Sequence, residues 1–125
     1  MKTEFKVVKT QDFLKTESSG ELNLSETRKV LSKLAELNTE DPVREILIDI
    51  RDTTSVLTLS DIYTIASEVG KFRKAFRKKI AVLIGPGHDI DKARFLEMCA
   101  GNRGLNVNAF GSYEDALEWL AEPDD

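Results

Sequence analysis

Apolar positions along this chain switch repeatedly between a helical period and a strand-like run. Val30, Leu31, Leu34 and Leu37 recur at i, i+1, i+4 and i+7, which is one face of a helix. Ser25 stands ahead of them as the expected N-cap, its hydroxyl able to accept from a free amide of the first turn. Asn38 and Asp41-Pro42 are expected to end that helix, because proline restricts the residue before it and cannot continue the ladder. Ile46-Leu47-Ile48-Asp49-Ile50 then reads as a buried strand running through Asp52-Thr53-Thr54-Ser55 into a helix from about Ser60 to Phe76. Ile62, Ile65, Ala66, Val69, Phe72 and Phe76 form the apolar stripe of that helix. Lys79 to Ile84 is a nearly continuous apolar run bounded by Gly85-Pro86-Gly87, as expected for a strand covered on both faces. A helix from about Asp91 to Asn102 turns Ala93, Leu96, Cys99 and Ala100 inward, with Gly104 as the expected C-cap. Asn106 to Phe110 is a short strand, and Ser112 caps a last helix whose Tyr113, Ala116, Leu117 and Leu120 face the core.

The front of the chain is less regular. Phe5 to Lys9 and Asp12 to Lys15 carry strand-forming residues, Ser18-Ser19-Gly20 suggests a turn, and Glu21 to Leu24 alternates weakly. Residues 1–24 are thus predicted as an N-terminal strand or hairpin region at a sheet edge, and residues 122–125 as a frayed tail. No repeat, linker or low-complexity segment interrupts the chain, so residues 1–125 read as one domain. Strands alternating with helices imply right-handed crossovers. The predicted fold is therefore a small α/β domain with a mostly parallel or mixed sheet of four to five strands, covered by about four helices. It is too small for a dinucleotide fold built from two mononucleotide halves. Open sheets of this kind place binding sites beyond the carboxyl ends of their strands, where amides at helix N-termini converge.

Composition narrows the functional classes. The 125 residues include 18 Lys plus Arg and 22 Asp plus Glu, a net charge of −4, which argues against generic nucleic-acid binding. Cys99 has no second cysteine to pair with, which points to a reducing compartment, and a cytoplasmic location is expected. Met1 to Phe5 lacks the apolar run of a signal peptide, and no apolar run approaches the ~20 residues that span a bilayer.

Three segments carry a family likeness: Ile46 to Arg51, Arg77 to Val82, and Phe110 followed by Glu114-Asp115-Ala116-Leu117-Glu118-Trp119-Leu120. The last is the most specific. Together they resemble the STAS domain family (sulphate transporter and anti-sigma-factor antagonist), in its SpoIIAA-like branch, over most of the chain after about Ser25. The resemblance implies a non-enzymatic regulatory domain that works by protein contact, with an anti-sigma factor or kinase-like regulator as partner. Antagonists of this kind carry Asp-Ser-Ser-Gly where the loop enters the helix, and a serine there is phosphorylated. By register from Asp49 the matching stretch here is Leu57-Thr58-Leu59-Ser60. Leu57 replaces the Asp and Ser60 falls where Gly is expected, so the motif is degraded. Thr58 is the candidate phosphoacceptor and Ser60 the second. The wider superfamily also resembles the lipid-carrying SEC14 fold, which implies the alternative of a small apolar or lipid-like ligand.

The resemblance, together with the convergence of loops at one sheet edge, implies a partner-binding surface made of Asp52, Thr53, Thr54, Ser55, Thr58 and Ser60 with Gly85, Gly87 and His88. A phosphate in the first stretch would add about −1.5 to −2 charges near a positive helix end. The plainer account makes Ser60 an N-cap and the threonines solvated turn residues. Gly85 to Asp89 lacks both the Walker pattern and the three spaced glycines of dinucleotide loops, so no nucleotide or other cofactor is expected. With His88 the sole histidine, no multi-histidine metal site can form, and no nucleophile stands at legible spacing for catalysis. His88 is expected to be exposed, with Asp89 or Asp91 capping the next helix. Cys99 on its inward stripe reads as a small core hydrophobe. Lys71, Arg73, Lys74, Arg77, Lys78 and Lys79 form the one basic run. It suits the negative end of a helix dipole, or docking of an acidic protein or anionic lipid.

Overall fold

Hydrophobic alternation in the strands and apolar stripes on the helices resolve into two layers of cover on one sheet. The structure, a computed structural model, describes residues 4–9, 12–40 and 42–123; Asp41, Asp124 and Asp125, for which a helix stop and a frayed tail are expected, lie outside them. The chain runs β1 (Glu4–Lys9), β2 (Phe13–Leu22), α1 (Leu24–Leu37), β3 (Glu45–Ser55), α2 (Leu59–Lys71), β4 (Ile80–Leu83), α3 (Ile90–Gly101), β5 (Val107–Phe110) and α4 (Tyr113–Ala121). The five-stranded sheet has the order β1-β2-β3-β4-β5. β1 is antiparallel to β2, and every later pair is parallel.

Successive strand residues point to opposite faces. Leu14, Ile46 and Ile80 thereby join Val30, Leu34, Ile62, Ile65, Val69 and Ala100 in one core beneath α1, α2 and α3. Leu47, Ala81 and Leu83 face the other way, against Ala116 and Leu120 of α4. Right-handed crossovers put the three connecting helices on a common side, which leaves the final helix to close the opposite one. Asn38, 2 % exposed, fixes the end of α1: its Nδ2 donates to the Arg44 and Ala75 carbonyls at 3.0 and 2.7 Å, and its Oδ1 accepts from the Arg44 amide at 2.9 Å.

Local expectations are corrected at several places. Ser18-Ser19-Gly20 makes no turn; it lies inside β2, because Ser19, Gly20, Glu21 and Leu22 pair with Asp52, Thr53, Thr54 and Ser55 after a register shift. The shift falls between Glu17 and Ser19, where β3 carries one extra residue, and Gly20 just beyond it has φ +94°, a conformation open to glycine. The N-cap of α1 is Asn23, whose Oδ1 accepts from the Glu26 amide at 2.8 Å, and Ser25 lies within the helix. α2 stops at Lys71 instead of Phe76. Beyond it the chain turns back through Ala75 N to Phe72 O, so the helical period breaks and Phe72 is half exposed while Phe76 remains buried. Asp89 caps α3 and Ser112 caps α4 as expected. The C-cap of α3 is Asn102, and Gly104 follows with φ +77°. Lys79 leaves the surface basic run. It is 6 % exposed, and its ammonium donates to the carbonyls of Trp119 and Glu122 at the end of α4, where the helix dipole favours a cation.

Candidate functional site

Unequal strand lengths create the site. β4 has four residues and its pairing with β3 ends at Asp49–Leu83, whereas β3 continues to Ser55 beside β2 alone. Asp52 to Ser55 is therefore strand, not loop, and only residues 56–58 link β3 to α2. The turn after β4 folds against this overhang. At Gly85 an added Cβ would lie 3.0 Å from the Arg51 carbonyl oxygen, so the close approach favours glycine. The Gly85 amide donates to His88 Nδ1 at 2.8 Å, which leaves the proton of the neutral ring on Nε2. That nitrogen meets Thr53 Oγ1 at 3.3 Å, and the Thr53 hydroxyl donates to the Ile50 carbonyl at 2.8 Å. His88 is consequently half-buried with both ring nitrogens occupied, not exposed.

Lys92 completes the rim. It sits in the first turn of α3, and its ammonium donates to the Leu57 carbonyl at 2.8 Å, tying the starts of α2 and α3 together. Arg103 ties their far ends: it donates to Ser67 Oγ at 2.8 Å and to the Cys99 carbonyl at 2.9 Å, with its guanidinium 4.8 Å from the Tyr63 ring centre.

Thr53, Gly85 and His88 are thus brought into contact, with Thr54, Ser55 and Gly87 lining the same mouth. Thr58 and Ser60 stand just outside it. Thr58, not Ser60, caps α2: its Oγ1 accepts from the Asp61 amide at 3.1 Å while Asp61 Oδ2 accepts from the Thr58 amide at 2.9 Å. This reciprocal capping box satisfies two amides that would otherwise face solvent alone. Ser60 is exposed inside the first turn, and Asp52 is exposed on the overhang.

Behind the mouth lies a cavity of about 380 Å³ between the sheet and α1, α2 and α3. Its walls include Ile48 and Val82 from the sheet, Ile65 and Val69 from α2, Leu96 from α3, and Phe76. Ser18, a residue 5 % exposed, is among the wall residues, and its buried hydroxyl has no hydrogen-bond partner among the described residues. Sequence reasoning passed over Ser18 as a turn residue. It passed over Lys92 too, although a cation in the first turn of a helix opposes the dipole and is itself a signal.

On the α4 face, Arg51 grips Asp49 through Nε and Nη2 at 3.0 and 2.8 Å, and its amide adds a third bond at 3.1 Å. Burial pushes the Asp49 carboxyl up, but these bonds outweigh it and hold the group below the usual range. Lys15 lies 4.8 Å from the Tyr113 ring centre and pairs with Glu17 at 2.9 Å, so this cluster is internally satisfied. Among the described residues no three His, Cys, Asp or Glu side chains gather to hold a metal ion, and no helix is long and apolar enough to cross a membrane.

No family profile matches the sequence, and no curated protein is detectably similar to it. Solved structures are similar in fold. An uncharacterised protein of the DUF3478 family with a SpoIIAA-like fold, from Shewanella loihica, superposes with TM-score 0.57 at 20% identity, over 95% of this chain and 94% of that one. An anti-sigma factor antagonist from Mycobacterium paratuberculosis gives 0.59 at 13% identity, over 97% and 96%. SpoIIAA in its unphosphorylated form, itself an anti-sigma factor antagonist, gives 0.58 at 12% identity, over 98% and 100%. The fold of this chain is SpoIIAA-like.

Proposed function

We propose that this chain is a non-enzymatic regulatory domain that docks a protein partner against the start of α2 and the adjoining rim. The observation that carries this reading is the apolar surface around Thr58. Val56, Leu59 and Tyr63 are 47, 52 and 55% exposed, and the latter two share a helix face at i and i+4. Large apolar side chains gathered in water beside a polar rim are the usual composition of a contact surface. The likeness in fold to anti-sigma factor antagonists supports the same class of activity, with an anti-sigma factor or kinase-like regulator as the kind of partner.

Thr58 is the position at which charge would alter this contact. A phosphate on its hydroxyl would bring about −1.5 to −2 charges against the Asp61 carboxylate that now bonds the Thr58 amide. The two anions repel, the capping box opens, and the surface flanked by Leu59 and Tyr63 changes shape and charge. Ser60, two residues further on in the first turn, offers a second hydroxyl without disturbing the cap.

Capture from a lysate of the source cells, comparing wild type with a Leu59→Asp, Tyr63→Asp double variant, tests the surface. A stoichiometric partner retained by wild type and by Phe72→Ser, but lost by the double variant, is the expected result. Retention by the double variant would remove this surface from the account. Mass-spectrometric mapping after incubation with the captured kinase tests the switch, and labelling that survives Thr58→Val with Ser60→Ala eliminates both hydroxyls.

A further inference from the structure

The basic run that follows α2 takes no part in the rim at Thr58 and stands at the other end of the molecule. β3 and β4 are parallel and pair from Ile46–Ile80 onward, so the turn that precedes Ile80 lies at their amino ends, whereas the rim follows their carboxyl ends. We propose that this turn docks the protein on the surface of a bilayer containing anionic phospholipid, with Phe72 entering the headgroup layer and Lys71, Arg73, Lys74 and Lys78 meeting lipid phosphates. Residues 71–78 hold five cations and no acid in a chain of net charge −4, so the negative excess lies elsewhere. Asp52, Asp61, Asp89 and Asp91 stand at the rim end, on the β3 overhang and the first turns of α2 and α3. A charge distribution of this kind turns the basic end towards an anionic surface and the rim away from it, open to a protein partner.

Helix capping accounts for only one of these cations. Lys71 lies in the last turn of α2, but Arg73, Lys74 and Lys78 lie beyond it, and the dipole acts within the last turn. No carboxylate pairs with Lys71, Arg73, Lys74 or Lys78 among the described residues, and the first three are exposed. Between them Phe72 is 50% exposed, and the fold holds it there. The Ala75 and Phe76 amides both donate to the Phe72 carbonyl, at 3.0 and 3.3 Å. The Ala75 carbonyl accepts from Asn38 Nδ2 at 2.7 Å, and Phe76 is fully buried. Turning Phe72 inward would therefore pull Phe76 out of the core. Cations at successive positions of a turn point in different directions, so an acidic peptide lying along one side meets only some of them. A headgroup layer surrounds the turn and meets all of them, while the ring reaches the acyl boundary and the long cationic side chains extend back to the phosphates.

Co-sedimentation of the full chain with vesicles of phosphatidylcholine and phosphatidylglycerol in equal parts tests the proposal. Wild type should bind these vesicles, ignore pure phosphatidylcholine, and be released as salt rises from ~0.1 to ~1 M and the screening length shrinks from about 10 to 3 Å. Each cation near the surface is worth about a fivefold change in affinity, so Arg73→Gln with Lys74→Gln should weaken binding roughly 25-fold. Half of the Phe72 side chain remains to be covered, so Phe72→Ser should weaken it roughly three- to tenfold. Lys29→Gln with Lys33→Gln, the same change of net charge on α1, should leave binding unaltered. Phe72→Trp in a Trp119→Phe background should shift its emission to the blue on the mixed vesicles. Failure of wild type to bind them, or equal losses in the α1 and turn variants, overturns the proposal. Binding of poly-L-glutamate in place of vesicles, lost with Arg73→Gln and Lys74→Gln, also overturns it and assigns the turn to an acidic protein. Unshifted emission from vesicle-bound Phe72→Trp overturns the placement of that ring. None of these outcomes bears on the contact surface at Leu59 and Tyr63.

Discussion

Replacing Gly85 with alanine tests the account of how the rim is built. The added Cβ would stand 3.0 Å from the Arg51 carbonyl oxygen, and 3.6 Å from both Arg51 Cα and His88 Nδ1. Comfortable C···O separations are about 3.3–3.6 Å, so β3 and the turn after β4 must part by a few tenths of an ångström. Neither side yields easily. Arg51 lies within β3 with its amide and side chain both bonded to Asp49, while the Gly85 amide is bonded to His88. Overfilling of this kind costs about 1–3 kcal/mol. The alanine also restricts the unfolded chain, which returns ~0.4–1 kcal/mol. The clash wins, and Gly85→Ala should lower stability by about 1–2 kcal/mol. For a chain of this size the melting temperature should fall by roughly 3–10 °C. Gly87, two residues on, meets nothing within 4 Å and has no positive φ, so Gly87→Ala keeps only the unfolded-state gain. It should raise stability by ~0.4–1 kcal/mol. Urea unfolding of the two variants beside wild type gives both numbers from midpoints at constant slope. Gly85→Ala at or above wild type, or the two glycines responding alike, would refute the close approach of β3 to the turn after β4.

Two further expectations concern the sheet. Thr16 is fully buried and its hydroxyl has no partner among the described residues, so Thr16→Val should stabilise the protein by ~1 kcal/mol in urea unfolding. A loss of stability would mean that the hydroxyl has a partner after all. The Asp49–Arg51 pair sets an acid limb. Because the folded carboxyl titrates below its unfolded value of ~3.9, its contribution is complete above that pH and lost as pH falls through the lower folded value. Wild type should therefore lose more stability than Asp49→Asn between about pH 5 and pH 2, and parallel acid limbs would contradict the assignment.

The elements and their class were written locally in the chain. The stripes of α1, α2 and α4 and the apolar runs of β3 and β4 follow from burial on known periods, and period is a property of neighbouring residues. The STAS-like carriers pointed to the fold that the solved structures share. Whatever depended on a partner distant in sequence emerged only on folding. Ser18 to Gly20 has turn chemistry, yet the overhang of β3 recruits it into a ladder. Thr58 displaces Ser60 as the cap because β3 runs on to Ser55, the helix starts at Leu59, and Asp61 stands where it can close the box. Phe72 keeps the period of α2 but is turned into solvent once the helix stops. Lys79 reads as one more surface cation until α4 presents its carbonyl end. The cavity was least legible of all. Its residues are the same ones a filled core would need, and only the distance between sheet and helices separates a hollow interior from a solid one.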